Sequence, residues 1–399
     1  NKLNEMKNII NSKGVETKIF AETFEYDAFE QIKKLANFEP YLDSKIRIMP
    51  DAHAGKGCTV GTTMTIKDCV TPNIVGVDIG CGMLTIKLKN NEIDLEKLDS
   101  VIRNKVPSGF SVHEKSKYKF DFEKLKCKDN VDLGRALLSI GSLGGGNHFI
   151  ELAESVSTGY LYLIIHSGSR KLGGDVCKYY QDLAFQNANE MKKIKENLVL
   201  ELKKAGREKD IEKELKKIQK PVVDKDLAFL KGKDFDNYMN DMKIAQEFAL
   251  LNRDTMGNII IKEMGIQEVE RFHTIHNYID FDSMILRKGA IRAKENEMVL
   301  IPMNMRDGSL LCVGKGNEDW NYSAPHGAGR LYSRSKAKQL ISLEEFEDSM
   351  KNVYTTSVST STIDEAPQVY KPMQEIIDCI GDTVEIVDIL KPLYNFKAN

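Results

Sequence analysis

The chain has 399 residues, 41% hydrophobic and 29% charged, with a formal net charge of -2. That length supports one large domain or two ordinary ones, and the near-neutral balance excludes nucleic-acid binding by bulk charge while leaving it open to local Lys/Arg clusters. No run approaches the roughly 18 apolar residues that cross a bilayer. NKLNEMKNIINSKG is too polar for a signal-peptide core, and seven dispersed cysteines without a CxxC pair read as reduced thiols of a cytoplasmic protein.

In chain order, FEYDAFEQIKKLANF has helical spacing within a short α/β opening, and KIRIMPDAHAGKGCTVGTTMTI then breaks into short apolar runs separated by Gly and Asp. NIVGVDIGCGMLTIKLK reads as a buried strand, a glycine-rich turn and a second strand. Helices are predicted over 93–104 and 132–140, and a strand over YLYLIIHSGSR, with a helix from about Gly173. The charged stretch 181–220 has a sparse apolar stripe and predicts a solvated helical hairpin turning near Ala205 and Gly206. NYMNDMKIAQEFALLNRDTMGNIIIKEM is a stronger amphipathic helix that should pack on the core, and strands with glycine-rich turns follow residue 270 to the closing TVEIVDILKPLYNFKAN. The expected architecture is a single α+β domain over 1–399, with mixed sheets around the site and the 181–220 hairpin as an insertion.

The polar residues that interrupt these elements carry the chemistry. Asp78 and Cys81 sit in VGVDIGCGM, His148 in GGGNHF, His166 in IIHSGSR, His276 in HTIHNY and His326 in SAPHGAGR. The first five offer oxygen, sulfur and nitrogen donors of the kind that hold one or two divalent ions, and by donor type Zn, Co, Fe or Mn all fit. A glycine-rich turn can aim a carboxylate and a thiolate at one point, although a buried cysteine after a tight turn reads the same way. His166 is equally readable as a polar strand cap. His276 looks placed at a loop rim, and His273 as a supporting or surface residue. GSLGGGN resembles an anion nest but lacks phosphate-loop spacing. The glycines around His326 leave its ring accessible as metal ligand, acid/base or nucleophile toward phosphorus.

Together MPDAHAGKG, VGVDIGCGM, SLGGGNHFIEL, HSGSR, DMKIAQEFALLNR, HNYI, RKGA and SAPHGAGRLYSR resemble, in order, the RtcB family of RNA-splicing ligases, from about residue 45 to the C-terminus. The resemblance implies an RtcB-like catalytic domain around a dinuclear Mn²⁺ centre. It also implies GTP-dependent joining of 2′,3′-cyclic phosphate or 3′-phosphate RNA ends to 5′-hydroxyl ends, in tRNA splicing or RNA repair, with an activating protein as a conceivable partner. Carried over by motif, His326 takes the guanylyl group. Cys81 bridges two Mn²⁺ ions, one held also by Asp78 and His148, the other by His166 and His276. Asn147, Phe149, Glu151, Pro325, Gly327, Ala328, Gly329, Arg330 and Lys397 border the GTP. Asp51 and His53 lie near the centre, and Arg170, Arg287, Arg330 and Arg334 are candidates for RNA or triphosphate oxygens.

Two stretches depart from the family. IPMNMRDG stands where small residues are usual, which predicts a reshaped loop beside the guanylate, and NFKAN keeps Lys397 but loses the following glycine. Two other readings compete: a metal-dependent phosphodiesterase or phosphatase that needs no nucleophilic His326, and a non-enzymatic RNA-binding protein, for which the donors would lie scattered by more than about 10 Å.

Overall fold

The computed structural model describes residues 7–218 and 225–398. Its architecture is α+β, with the elements that carry the site distributed over two main sheets. One sheet has seven antiparallel strands in the order Glu268–Ile275, Gly82–Leu88, Leu161–Ser167, Phe149–Ser155, Val384–Phe396, Gly308–Gly314 and Met298–Asn304. The other has six, in the order Asn8–Ile10, Glu16–Ile19, Ile46–His53, Val60–Thr65, Ile285–Lys288 and Asn277–Asp280. It is mixed, because Glu16–Ile19 and Ile46–His53 pair in parallel and the other neighbours antiparallel.

Strand periodicity explains how the first sheet serves two cores. Leu161, Leu163 and Ile165 pack with Leu84, Ile86 and Leu88 beneath the helices, while Tyr162 and Ile164 face the other way among Met83, Phe149, Leu300, Leu311 and Leu390. That second face curls closed, and the edge strands meet where the Leu300 amide donates to Thr274 Oγ1. His166 shares the phase of Tyr162 and Ile164, so it points into the curl.

The amphipathic segment forms the 33-residue helix Gly232–Met264, with Tyr238, Met242, Ala245, Phe248, Ala249, Met256 and Ile260 buried at helical spacing. Gly265, in the left-handed conformation, ends it. The predicted helices at 93–104 and 132–140 appear as Leu95–Lys105 and Leu133–Ser139, each started by an aspartate cap, Asp94 and Asp132. A second long helix begins at Arg170 and runs to Lys204; the chain then turns over Ala205 and Gly206 toward the short helix Ile211–Lys216. Its buried side cluster ends at Ala184 apart from Leu202, so the outer part is solvated on most faces; residues 219 and 220 of the expected hairpin lie outside the described residues.

One expected strand is absent. Pro72–Val75, the NIV segment, is a single helical turn, with Pro72 in its first turn and Gly76 closing it. A segment this short does not separate strand from buried helix by pattern, and proline in the first turn favours the helix. The turn is held from outside by Gln181 Oε1, which accepts the Asn73 amide at 3.0 Å.

Candidate active site

Sheet register gathers the donors. Gly82 pairs with both Ser167 and Ile275, and His166 pairs with both Met83 and Phe149. Cys81, His166, His276 and His148 are thereby brought to one end of four neighbouring strands. The His276 amide donates to the Cys81 carbonyl at 2.9 Å, extending that register one step past the strands. His276 is not on a rim: it is 3% exposed, because it is the single residue through which the chain crosses from the seven-stranded to the six-stranded sheet.

Cys81 Sγ lies 3.2 Å from His166 Nε2 and 3.5 Å from His148 Nε2. The ligating atoms of Cys81, His148 and His166 all fall within 4.8 Å of one another. Asp78 Oδ2 joins them through His148 Nε2 at 2.9 Å. His276 follows, its ring 5.1 Å from that of His166 and 4.9 Å from that of His326. The arrangement fits a metal centre. The Nδ1 atoms of His148 and His166 face the carbonyls of Leu143 and Asn147 at 2.8 and 3.0 Å, which turns both Nε2 atoms toward the sulfur. Burial pushes the Cys81 thiol well above its ordinary value, with Asp78 adding to it, and burial holds His166 and His276 well below theirs. For Asp78, burial opposes the charge but His148 and Arg170 outweigh it, so its carboxyl stays well below the usual range. Imidazoles, one carboxylate and one thiol gathered in this way are what a divalent ion would convert to a thiolate cluster. Gly168 is required here, since a Cβ at that position would overlap the Asp78 carboxylate.

His326 follows the short strand Ser323–Pro325, which pairs with Ala290–Arg292. Asp51, fully buried at the end of Ile46–His53, sets Oδ2 2.6 Å from His326 Nδ1 and accepts the Gly327 amide at 3.2 Å. The carboxylate beside Nδ1 favours a proton on that nitrogen and turns Nε2 toward the clefts. Gly289, at φ 61°, sits behind the ring; a Cβ there would strike Val60 and come within 3.2 Å of His326 Cε1.

Two clefts meet at His326. One is lined by Asn147, Phe149, Glu151, Gly327, Ala328, Gly329, Arg330 and Lys397, a mix of aromatic, backbone and charged groups that suits a small polar ligand. Pro325 alone of the predicted border residues does not line it, being spent on pairing with Ala290. Pro302, Met303, Asn304 and Met305 form one wall, so the departure from the family's small residues does fall beside this cleft. The other cleft is lined by Asp78, Cys81, His276 and Lys288; His53, Asn147 and His326 belong to both.

The first cleft is strongly charged. Glu365 receives Lys397 Nζ at 3.2 Å, Arg330 Nη1 at 2.7 Å and Arg334 Nη1 at 3.1 Å. Burial opposes its charge, and these cations, Lys397 first, overcome it and hold the carboxyl below its usual value. Glu151 differs: burial pushes it up to about 8 against Asn395 and Lys397. Its Oε2 and Asn395 Oδ1 are buried without a hydrogen-bond partner among the described residues, which is what a pocket awaiting a polar ligand leaves open. Glu365, Tyr370 and Asn395 were not visible as site residues in the sequence, because no local pattern marks them.

Arg287, a sequence candidate for RNA or triphosphate oxygens, is not available to either. It is fully buried and bonded to Ser323 Oγ, Tyr278 OH, Asp280 and the Asn321 carbonyl, because its strand runs through the interior between two others. His273 is a supporting residue, with Nε2 3.0 Å from Asp254 and Nδ1 accepting from Arg253.

A model of the family described as tRNA-splicing ligase RtcB matches residues 31–137 and 119–398. The chain belongs to the RtcB family of RNA-splicing ligases. RNA-splicing ligase RtcB1 of Escherichia coli strain ATCC 25922 and RNA-splicing ligase RtcB of strain K12 are each 30% identical to it over 94% of this chain and 95% of theirs. The tRNA-splicing ligase RtcB of Nanoarchaeum equitans is 26% identical over 85% of this chain and 84% of its own. RtcB-family membership supports ligase function, and it accounts for the Cys/His cluster and the adjoining histidine better than a hydrolase or a non-enzymatic binder would.

Proposed function

We propose that the protein is a GTP- and Mn²⁺-dependent RNA ligase that joins 2′,3′-cyclic phosphate or 3′-phosphate ends to 5′-hydroxyl ends through guanylylated His326. The observation that carries this reading is His326 itself, set where two clefts meet, with Asp51 2.6 Å from Nδ1 and His276 beside it. A metal hydrolase that activates water forms no covalent bond to that ring, so guanylylation of His326 separates the two readings.

In this reading GTP occupies the first cleft. Lys397, Arg330 and Arg334 supply cationic donors there, and Glu151 and Asn395 offer the unpaired buried atoms that can meet the nucleotide. His326 Nε2 forms a bond to the α-phosphorus as the bond to pyrophosphate breaks, while Asp51 stabilises the charge on the ring. A cyclic end is first opened by water, which breaks the P–O2′ bond and leaves a 3′-phosphate; the guanylyl group then passes to that RNA 3′-phosphate, and the 5′-hydroxyl of the second strand displaces GMP. Asp78, Cys81 and His148 would hold one Mn²⁺, and Cys81, His166 and His276 the other; bound there, the ions supply charge neutralisation and hydroxyl activation. Residues 1–399 act as one catalytic domain with 181–220 an insertion in it. The substrates are tRNA halves or damaged RNA, an activating protein being a further partner, and seven free cysteines fit a cytoplasmic setting. Among the described residues no helix is long and apolar enough to cross a membrane.

The test is covalent labelling. Protein incubated with Mn²⁺ and α-labelled GTP is expected to retain acid-labile, alkali-stable label, and His326→Ala to retain none. Label that persists in the variant places the guanylyl group elsewhere and removes the assignment.

A further inference from the structure

Phe110 is 97% exposed, the most exposed of the large hydrophobic side chains described. An exposed aromatic on a mobile loop would mean little, but this one is held by the backbone around it. The Leu143 amide donates to the Pro107 carbonyl at 2.9 Å and the Gly109 amide to the Gly144 carbonyl at 2.8 Å. The His113 amide donates to Leu138, and its ring Nε2 faces the Gly141 carbonyl at 2.9 Å. Arg135 Nη2 donates to the carbonyl of Phe110 itself at 2.5 Å. A rigid turn, with Gly109 at φ 62°, thus presents a bare ring to solvent.

Its location gives the ring a use. The segment it is stitched to, 141–144, leads directly into Asn147 and His148. Arg170, whose charge is felt by Asp78, packs its guanidinium over Gly144 and lies near Arg135. Beyond the turn the same loop exposes Tyr118 at 56% together with Lys115, Lys117 and Lys119. Exposed rings interleaved with cations are how proteins hold single-stranded nucleic acid without reading its sequence: bases stack on the rings and phosphates meet the charges.

We propose that the loop 107–119 is a single-stranded RNA platform at the mouth of the active site, with Phe110 stacking on a nucleobase near the end being joined and Arg135 and Lys117 meeting flanking phosphates. This rests on the ligase reading above, which makes RNA ends the substrate.

The test is equilibrium binding of a short single-stranded RNA bearing a 3′-phosphate, and of one bearing a 5′-hydroxyl, to wild type, Phe110→Ala and Phe110→Trp. Phe110→Ala is expected to weaken binding of one or both on the order of tenfold, and Phe110→Trp to restore it. Replacing single end nucleotides by abasic ones in each strand identifies the stacked base: wild type loses the same factor there, and Phe110→Ala loses nothing more. Uptake of label from GTP, which needs no RNA, reports on the fold and on the nucleotide reading separately. Equal RNA binding by Phe110→Ala and wild type overturns the platform, whether the ring then serves a protein partner or none. Absent label with intact RNA binding overturns the nucleotide reading and leaves the platform standing.

Discussion

A carboxylate 2.6 Å from Nδ1 of His326 decides which nitrogen of that ring is free to react. Asp51 can only accept, so beside it the ring favours a proton on Nδ1; an amide in its place can donate and favour the other tautomer. Asp51→Asn is therefore expected to slow label uptake from GTP by roughly 10²–10⁴-fold, read from the time course of covalent labelling. If the variant labels at the wild-type rate, Asp51 does not orient the nucleophile. The sequence placed Asp51 near the centre only through a motif, and gave it no role, because its 276-residue separation from Gly327 leaves no local trace. Arg287 makes the opposite point. Its type suggested phosphate binding, whereas its complete burial assigns all of its donors to the protein.

At the scale of elements, the long helix Gly232–Met264 does more than fill the core. Its apolar stripe was legible, but Asn252 and Arg253 lie in that stripe and are completely buried. Arg253 Nη1 donates to the carbonyls of Gly80 and Ser167 at 2.7 and 2.8 Å, tying together the two strand ends that carry Cys81 and His166. Asn252 accepts the amides of Gly141 and Ser142 through Oδ1 and donates to the carbonyls of Ser142 and Gly168. The helix thus sets the spacing of the donors from behind. Arg253→Met should weaken Mn²⁺ binding about 10–100-fold, measured by calorimetric titration of the purified protein, without touching any ligand. Unchanged affinity would mean that the strand register alone fixes the site. The turn Pro72–Val75 departs from the expected strand for a related reason: four residues are too few to carry a period, and the partner that holds the turn, Gln181, is remote in the chain.

At the scale of the whole molecule, metal and fold should be linked. Burial and Asp78 keep the Cys81 thiol protonated in the metal-free protein, so an ion that binds the folded site as a thiolate complex stabilises only the native state. At 100 times its dissociation constant, Mn²⁺ is expected to add about 2.7 kcal/mol to the unfolding free energy, and Cys81→Ser to abolish most of that gain. Denaturant unfolding with Mn²⁺ and with a chelator measures both; an equal Mn²⁺ effect in the variant would show that the cation acts elsewhere.

By itself the sequence determined the chemistry available to this protein. Donor types, glycine-rich turns, the apolar runs of the strands and the stripe of the long helix are local properties, written in residue identity and spacing. Tertiary structure alone decided which of them meet. Cys81 reaches His148 and His166 across 67 and 85 residues, and His276 becomes a buried crossover between two sheets rather than a rim residue. Contacts of that separation depend on strand register, and register is a property of the paired sheet that no single segment encodes.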